Sequence, residues 1–222
     1  MNDKQRVAHF AAQKVSSGML IGLGTGSTAN CFIDALVLRQ QNEGLDCKYV
    51  ASSVITMQYA SQAGLKLVGI ELTEDLDLYV DGADEVTPDL ILLKGRGSDL
   101  VREKLLAENS SEFWVLIDAS KQVDHIGQKF PIAVEVLPFA VSLVKNRLLK
   151  LGCQAILRAR GDGLHVTSHG CLVFDCQFAT SDPVLINQQL NALPGVVEHG
   201  IFMLPQTRVF CGQDQSVREL LP

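Results

Sequence analysis

No stretch of this 222-residue sequence approaches the ~18 consecutive apolar residues of a membrane-crossing helix, which argues against a membrane span. The first 18 residues set Asp3, Lys4, Arg6 and Lys14 among apolar side chains, so the uninterrupted apolar core of a secretory signal is missing as well. Basic charge is also scarce: 19 Lys and Arg stand against 25 Asp and Glu, for a net charge of −6. A nucleic-acid partner, which is usually met by a basic stripe, is therefore not expected, and an anionic ligand needs a local site. The six cysteines (Cys31, Cys47, Cys153, Cys171, Cys176, Cys211) are scattered without a paired framework. With no signal peptide they are expected to be reduced thiols of a soluble cytoplasmic protein, most of them small core residues. Repeats and low-complexity tracts are absent, and 47% hydrophobic with 20% charged residues is ordinary globular usage, so no segment reads as a tail.

What is present is an alternation of strand-length apolar runs with amphipathic stretches over residues 1–127. A helix at 3–16 leads to a strand at 19–23 and a helix at 28–39. Further strands are predicted at 48–51, 66–70, 76–80, 90–93 and 113–117. Such a rhythm predicts an α/β domain: an open, largely parallel, Rossmann-like sheet with helices on both faces. From about 130 the order becomes strand 132–137, helix 139–151, strands 155–160 and 172–178, helix 182–193 and strand 196–203. This βαββαβ order is the split unit of a smaller ferredoxin-like α+β domain over 128–204. A last strand at 207–211 follows Pro205, and 205–222 is expected to return to the first domain.

Ligands of open α/β sheets bind beyond the carboxyl ends of the strands. Five apolar runs end there in small, polar or charged residues: Gly22 to Thr28, Ser52-Ser53, Asp81 to Asp84, Lys94 to Gly97, and Asp118 to Lys121. Together on one sheet edge they would form a polar basin. In Gly22-Leu23-Gly24-Thr25-Gly26-Ser27-Thr28 the glycines allow a tight turn, and Thr25, Ser27 and Thr28 add hydroxyls at a helix N-terminus, where the dipole favours an anion. This reads as a phosphate cradle; the plainer alternative is a turn in which Ser27 or Thr28 caps the helix. A dinucleotide fingerprint lacks its third glycine, replaced by Ser27, and no Gly-Lys-Ser/Thr follows for a Walker loop.

Asp81 and Asp84, separated by Gly82 and Ala83, can share the hydroxyls of one polyol or form a solvated Asp-Gly turn. A hard cation on Asp81, Asp84 and Glu85 is disfavoured by the competing lysine nearby. Lys94 emerges from a strand end into Gly95-Arg96-Gly97 and suits an oxyanion or a phosphate, or simply snorkels. If 98–108 is helical, Glu103 lies near Leu100, Leu106 and Ala107. Burial there raises a carboxyl pKa toward that of a general base, unless Arg102 or Lys104 pairs with it. His165, His169, Cys171 and Cys176 match no zinc-ligand spacing.

These blocks, in this order and spacing, resemble the type A ribose-5-phosphate isomerases: Gly22 to Thr28, Tyr79-Val80-Asp81-Gly82-Ala83-Asp84-Glu85, Leu93 to Gly97, Arg102-Glu103-Lys104 and Asp118 to Val123. In the second domain Phe130 to Pro138 and Leu193 to Val197 are also similar. The resemblance implies interconversion of D-ribose 5-phosphate and D-ribulose 5-phosphate in the non-oxidative pentose phosphate pathway, without metal or organic cofactor, by a homodimer. It implies Glu103 as the base at C2 and C1, Lys94 as the oxyanion partner, and Asp81, with Asp84 close by, handling hydroxyl protons and ring opening. Substrate contacts carried over are Thr25, Gly26, Ser27, Thr28, Asp81, Gly82, Ala83, Asp84, Lys94, Gly95, Arg96, Gly97 and Lys121, with Lys4 as a phosphate neighbour. Arg96 stands where the family usually has glycine, and a positive φ there would cost on the order of 1 kcal/mol. Two other classes compete. A sugar-phosphate sensor would need a DNA-binding module, for which 1–18 is too short; a nicotinamide-dependent dehydrogenase would rest on the degraded glycine pattern alone.

Overall fold

The computed structural model describes residues 1–97 and 99–222. In chain order they form α1 (Asp3–Gln13), β1 (Leu20–Leu23), α2 (Ser27–Glu43), β2 (Lys48–Ala51), α3 (Val54–Gln62), β3 (Leu76–Asp81), β4 (Glu85–Val86), β5 (Leu92–Leu93), α4 (Leu100–Glu108) and β6 (Ser110–Asp118). There follow β7 (Ile132–Val136), α5 (Val141–Lys150), β8 (Cys153–Leu157), β9 (Ala159–Arg160), β10 (Gly163–Leu164), β11 (Leu172–Phe178), α6 (Pro183–Asn191), β12 (Val196–His199), β13 (Ile201–Phe202), β14 (Thr207–Gln213) and β15 (Ser216–Leu220).

One compact unit comprises Met1–Ala83, Arg102–Lys121 and Leu204–Pro222. Its sheet runs β15-β14-β6-β3-β1-β2, parallel except for the β14–β15 hairpin. Strand alternation gives the sheet two different faces. Ile21, Leu23, Leu78, Val80, Trp114, Leu116 and Phe210 share a core with Val7, Ala8, Ala11 and Ala12 of α1 and Phe32, Ile33 and Leu36 of α2. Burying each of the large side chains contributes roughly 1.5–3 kcal/mol. The alternate positions carry Tyr79, whose ring stacks on Phe113 at 5.2 Å, and one step further along β3, Asp81. α1 begins at a capping box: Asn2 accepts from the Gln5 N–H, and the Gln5 side chain accepts from the Asn2 N–H.

The other unit comprises Asp84–Val101 and Gln122–Met203. Its main sheet has the order β12-β7-β11-β8, antiparallel throughout, with α5 after β7 and α6 between β11 and β12. That is the ferredoxin-like arrangement. Val144, Leu148, Ile186 and Leu190 of the two helices bury against Val134, Val136, Phe174 and Cys176 of the sheet. A small sheet β13-β5-β4 completes this unit.

Several expectations are corrected. Residues 66–70 form no strand: Leu67 makes one isolated bridge to Tyr49, and Gly69 leads into a 3-10 turn at Ile70–Leu72. The 90–93 run is a strand only at Leu92–Leu93 and lies in the small sheet, so the run ending at Lys94 does not belong to the central sheet. The 196–203 run breaks at Gly200, where the chain passes from one sheet to another and a Cβ would meet the Lys94 carbonyl oxygen at 2.2 Å. A cut at 127 also misassigns Asp84–Val101, which packs with the second unit, whereas Leu204–Pro222 packs with the first.

Candidate active site

Residues at the carboxyl end of β1 illustrate what the glycine-rich run does. Gly22 lies against Tyr79: a Cβ there would sit 2.6 Å from the tyrosine Cδ2. Gly24 lies against Asp81, where a Cβ would approach the carboxyl carbon to 2.0 Å. Gly26, at φ +115°, is the N-cap of α2 and supplies no side-chain cap, so neither Ser27 nor Thr28 serves as the N-cap. Ser27 instead accepts a hydrogen bond from the Lys4 ammonium at 3.0 Å, which sets a cation beside the N-terminus of a 17-residue helix. Thr25 turns its hydroxyl inward. It donates to Ser53 Oγ at 2.7 Å and lies 3.0 Å from Ser52 Oγ and 3.1 Å from Thr56 Oγ1. Ser53 also caps α3, and Thr56 donates to the Gly24 carbonyl, so these hydroxyls brace the loop.

Asp81 ends β3 at 1% exposure. Its Oδ1 accepts from the Gly82 N–H at 2.7 Å and the Thr25 N–H at 3.2 Å, and its Oδ2 accepts from the Tyr79 hydroxyl at 2.6 Å. Burial first, then the charges of Asp81 and Glu103, pushes the Tyr79 phenol well above its ordinary range, so it stays a donor. Glu103 lies on α4 at 4% exposure, on a buried stripe with Leu100, Lys104 and Ala107 at i−3, i+1 and i+4. Asp118 ends β6 and accepts from the Ser120 N–H at 3.0 Å and from its hydroxyl. Burial works to raise its pKa, but the Ser120 bonds and the charges of Lys121 and Lys4 outweigh that and hold it below the usual carboxylate range. Two cations more than a hundred residues apart in the sequence thus act on the same carboxylate.

In the second unit the Asp84 N–H donates to the Leu93 carbonyl, and its Oδ2 accepts from the Arg96 N–H at 3.3 Å. Glu85, fully buried, is taken up as an acceptor for the N–H groups of Gly127, Lys129 and Phe130. Among the described residues no three His, Cys, Asp or Glu side chains gather in a metal-holding group. Lys94 is 5% exposed, held by its N–H on the Gly200 carbonyl, with its ammonium 5.7 Å from the centre of the Phe202 ring. The left-handed residue of the following loop is Gly95, at φ +106°, whose Cβ would strike Leu100 and Ala133. Arg96 takes no positive φ, so the condition under which an arginine there would be strained is not met. Its guanidinium lies 4.3 Å over the Phe130 ring. Gly97 has open space where a Cβ would stand, and Ser98 lies outside the described residues.

Sequence reasoning missed Arg158 and gave Asp175 no role. Arg158 bonds Asp175 at 2.5 Å and donates to the Gly95 carbonyl at 2.8 Å, tying the Lys94 loop to the sheet. No spacing signals such a clamp, because its two partners, Gly95 and Asp175, lie 63 and 17 residues from the arginine. Tyr79 was legible only as a strand residue; its period-2 relation to Asp81 was the available signal.

A family model described as ribose 5-phosphate isomerase A (phosphoriboisomerase A) matches residues 48–216. Ribose-5-phosphate isomerase A of Synechococcus sp. (strain JA-3-3Ab) is 41% identical over 220 residues, which is 98% of this chain and 96% of that protein. The protein of the same name from Methanothermobacter thermautotrophicus is 39% identical over 223 residues, covering 99% and 98%. The structure of ribose 5-phosphate isomerase A from Methanocaldococcus jannaschii matches with a TM-score of 0.93 at 38% identity, over 98% of this chain and 97% of that one. A D-ribose-5-phosphate isomerase in complex with phospho-erythronic acid matches at 0.94 and 34% identity, over 99% of each. Given a family model that spans most of the sequence and relatives alike over nearly its whole length, the chain belongs to the ribose 5-phosphate isomerase A family.

Proposed function

We propose that this isomerase interconverts D-ribose 5-phosphate and D-ribulose 5-phosphate by proton transfer through an enediolate, within the non-oxidative pentose phosphate pathway. Moving a proton between adjacent carbons leaves the overall oxidation level of the sugar unchanged, so the chemistry calls for a base that reaches both carbons and for stabilisation of the enediolate oxygens. Glu103 is the base that takes the C2 proton and returns it to C1. Lys94 offsets the charge that develops on the oxygen. Asp81, with Asp84 three residues on, exchanges protons with the substrate hydroxyls and assists opening of the furanose. The phosphate is met by the α2 N-terminus with Gly26, Ser27 and Thr28, and by Lys4 and Lys121; Thr25, Gly82, Ala83, Gly95, Arg96 and Gly97 shape the surrounding loops. Metal and organic cofactor have no step to perform in this route.

The observation that carries this reading is the near-complete burial of both carboxylates, Asp81 and Glu103. Burial excludes water and strengthens the electrostatic contacts that a carboxylate makes with a bound substrate. The relative that holds phospho-erythronic acid supports the route, because a phosphorylated acid presents a planar, anionic carboxylate where an enediolate would present its oxygens. The protein is further proposed to act as a cytoplasmic homodimer with no nucleic-acid or membrane partner, in keeping with its net charge of −6. No helix among the described residues is long and apolar enough to cross a membrane.

Glu103→Gln tests the base directly, since it keeps the shape and removes the proton acceptor. Turnover is expected to fall by at least ~10³-fold while binding of ribose 5-phosphate, read by calorimetry, persists. Substantial turnover in that variant would mean that another group is the base.

A further inference from the structure

The glycine-rich run leaves two of its residues unexplained by phosphate binding. Gly22 and Gly24 make room for side chains of β3: a Cβ at the first would meet the Tyr79 ring, and at the second the Asp81 carboxyl group. Both glycines therefore serve one feature, a tyrosine and an aspartate two residues apart on the same face of the strand, drawn close beneath the end of β1. The Tyr79 ring is fully buried, so its hydroxyl has little freedom to leave Asp81.

We infer that Tyr79 is a positioning residue of the isomerase, whose hydroxyl fixes the rotation of the Asp81 carboxylate and thereby sets the direction in which Asp81 exchanges protons with the substrate. The inference rests on the role proposed for Asp81. On the geometry, Gly82 and Thr25 donate to Oδ1 from the backbone, and Tyr79 donates to Oδ2. Donors on both oxygens oppose rotation about the Cβ–Cγ bond. Loss of the donor on Oδ2 relaxes that restraint. A reacting group must be held within about 0.5 Å of its productive place, and a carboxylate that swings loses the aligned fraction of its encounters. The tyrosine does not itself give up a proton in this scheme. Burial of its phenol, and after that the charges of Asp81 and Glu103, favour the neutral donor.

Tyr79→Phe removes the hydroxyl and keeps the ring in place, which makes the test clean. Purified native protein, Tyr79→Phe and Phe113→Leu are assayed on ribose 5-phosphate, with thermal midpoints recorded for each. Phe113→Leu disturbs the packing of the same tyrosine ring without deleting the donor. The expected result is a loss of about tenfold or more in kcat for Tyr79→Phe with KM within about twofold of native, as for a group that acts in the transition state. Phe113→Leu is expected to lower the midpoint and keep kcat within about threefold. Native kcat in Tyr79→Phe would overturn the inference. So would a rise in KM that accounts for the whole defect, or a Phe113→Leu variant as slow as Tyr79→Phe, since either would make the tyrosine a packing residue. Failure of the underlying substrate assignment shows differently, as a native protein with no turnover.

Discussion

A methyl group added at Gly24 would lie 2.0 Å from the Asp81 carboxyl carbon and 2.1 Å from its Oδ1, closer than real carbon contacts allow. Either the loop or the aspartate must move. Overpacking of this kind costs about 1–3 kcal/mol, so Gly24→Ala is expected to lower the thermal midpoint and to reduce kcat together, the second because Asp81 is displaced. A Gly24→Ala variant with native kcat would show that Asp81 tolerates displacement. At this scale the sequence was legible in type more than in contact. Glycines, a pair of aspartates and a lysine at run ends pointed to polar chemistry, and Asp81, Lys94 and Glu103 are all buried charged residues in the fold. What each glycine accommodates was not legible, because Gly22 and Gly24 answer to side chains more than fifty residues away. Arg96 carries the complementary lesson: the left-handed turn is taken one residue earlier, by Gly95, so an arginine fits without strain.

Among the elements, β14 and β15 close the edge of the central sheet through Arg208, which bonds Glu219 at 2.7 Å and Glu112 of β6 at 2.9 Å. Glu112 also accepts from the indole N–H of Trp114, the sole tryptophan, at 2.7 Å. The Trp114 bond, followed by Arg208, holds Glu112 below the ordinary carboxylate range, and Arg208 does the same for Glu219. A carboxylate with a lowered folded-state pKa adds stability that is complete above the unfolded value, 4.5, and is lost as pH falls through the lower folded value. Both groups are well exposed, so the effect is modest. The expected outcome is a smaller drop in urea midpoint between pH 6 and pH 3 in Arg208→Leu than in the native chain, and a change of Trp114 emission below pH 4.5 in the native chain. An identical drop in both would remove the arginine from the acid sensitivity. This hairpin also shows why β15 escaped the sequence reading. Its two-residue turn is Asp214-Gln215, at φ +48° and +63°, a conformation usually signalled by Asn-Gly or Asp-Gly. Helix α3 was missed for a related reason. Val54, Ile55 and Met57 face outward and only Thr56 and Ala60 are buried, so the helix rests on its Ser53 cap and has no apolar stripe to reveal it.

For the molecule as a whole, the alternation of runs was enough to anticipate a parallel sheet followed by a βαββαβ unit, because each pattern is written in local periodicity. The assignment of Asp84–Val101 to the second unit was not, since it depends on long-range pairing of β4, β5 and β13. A net charge of −6 offers a sugar phosphate no general attraction, so the proposed recognition calls for local cations, for which Lys4, Lys94 and Lys121 are the candidates. The central claim is that this chain moves a proton between C1 and C2 of ribose 5-phosphate without a metal. It is tested most directly by incubating the purified protein with ribose 5-phosphate in D₂O containing EDTA, and following ribulose 5-phosphate and deuterium at C1 against an enzyme-free control. Product carrying deuterium at C1 is the predicted result, from an enediolate whose base exchanges with solvent. No product from a protein that still binds ribose 5-phosphate would contradict it.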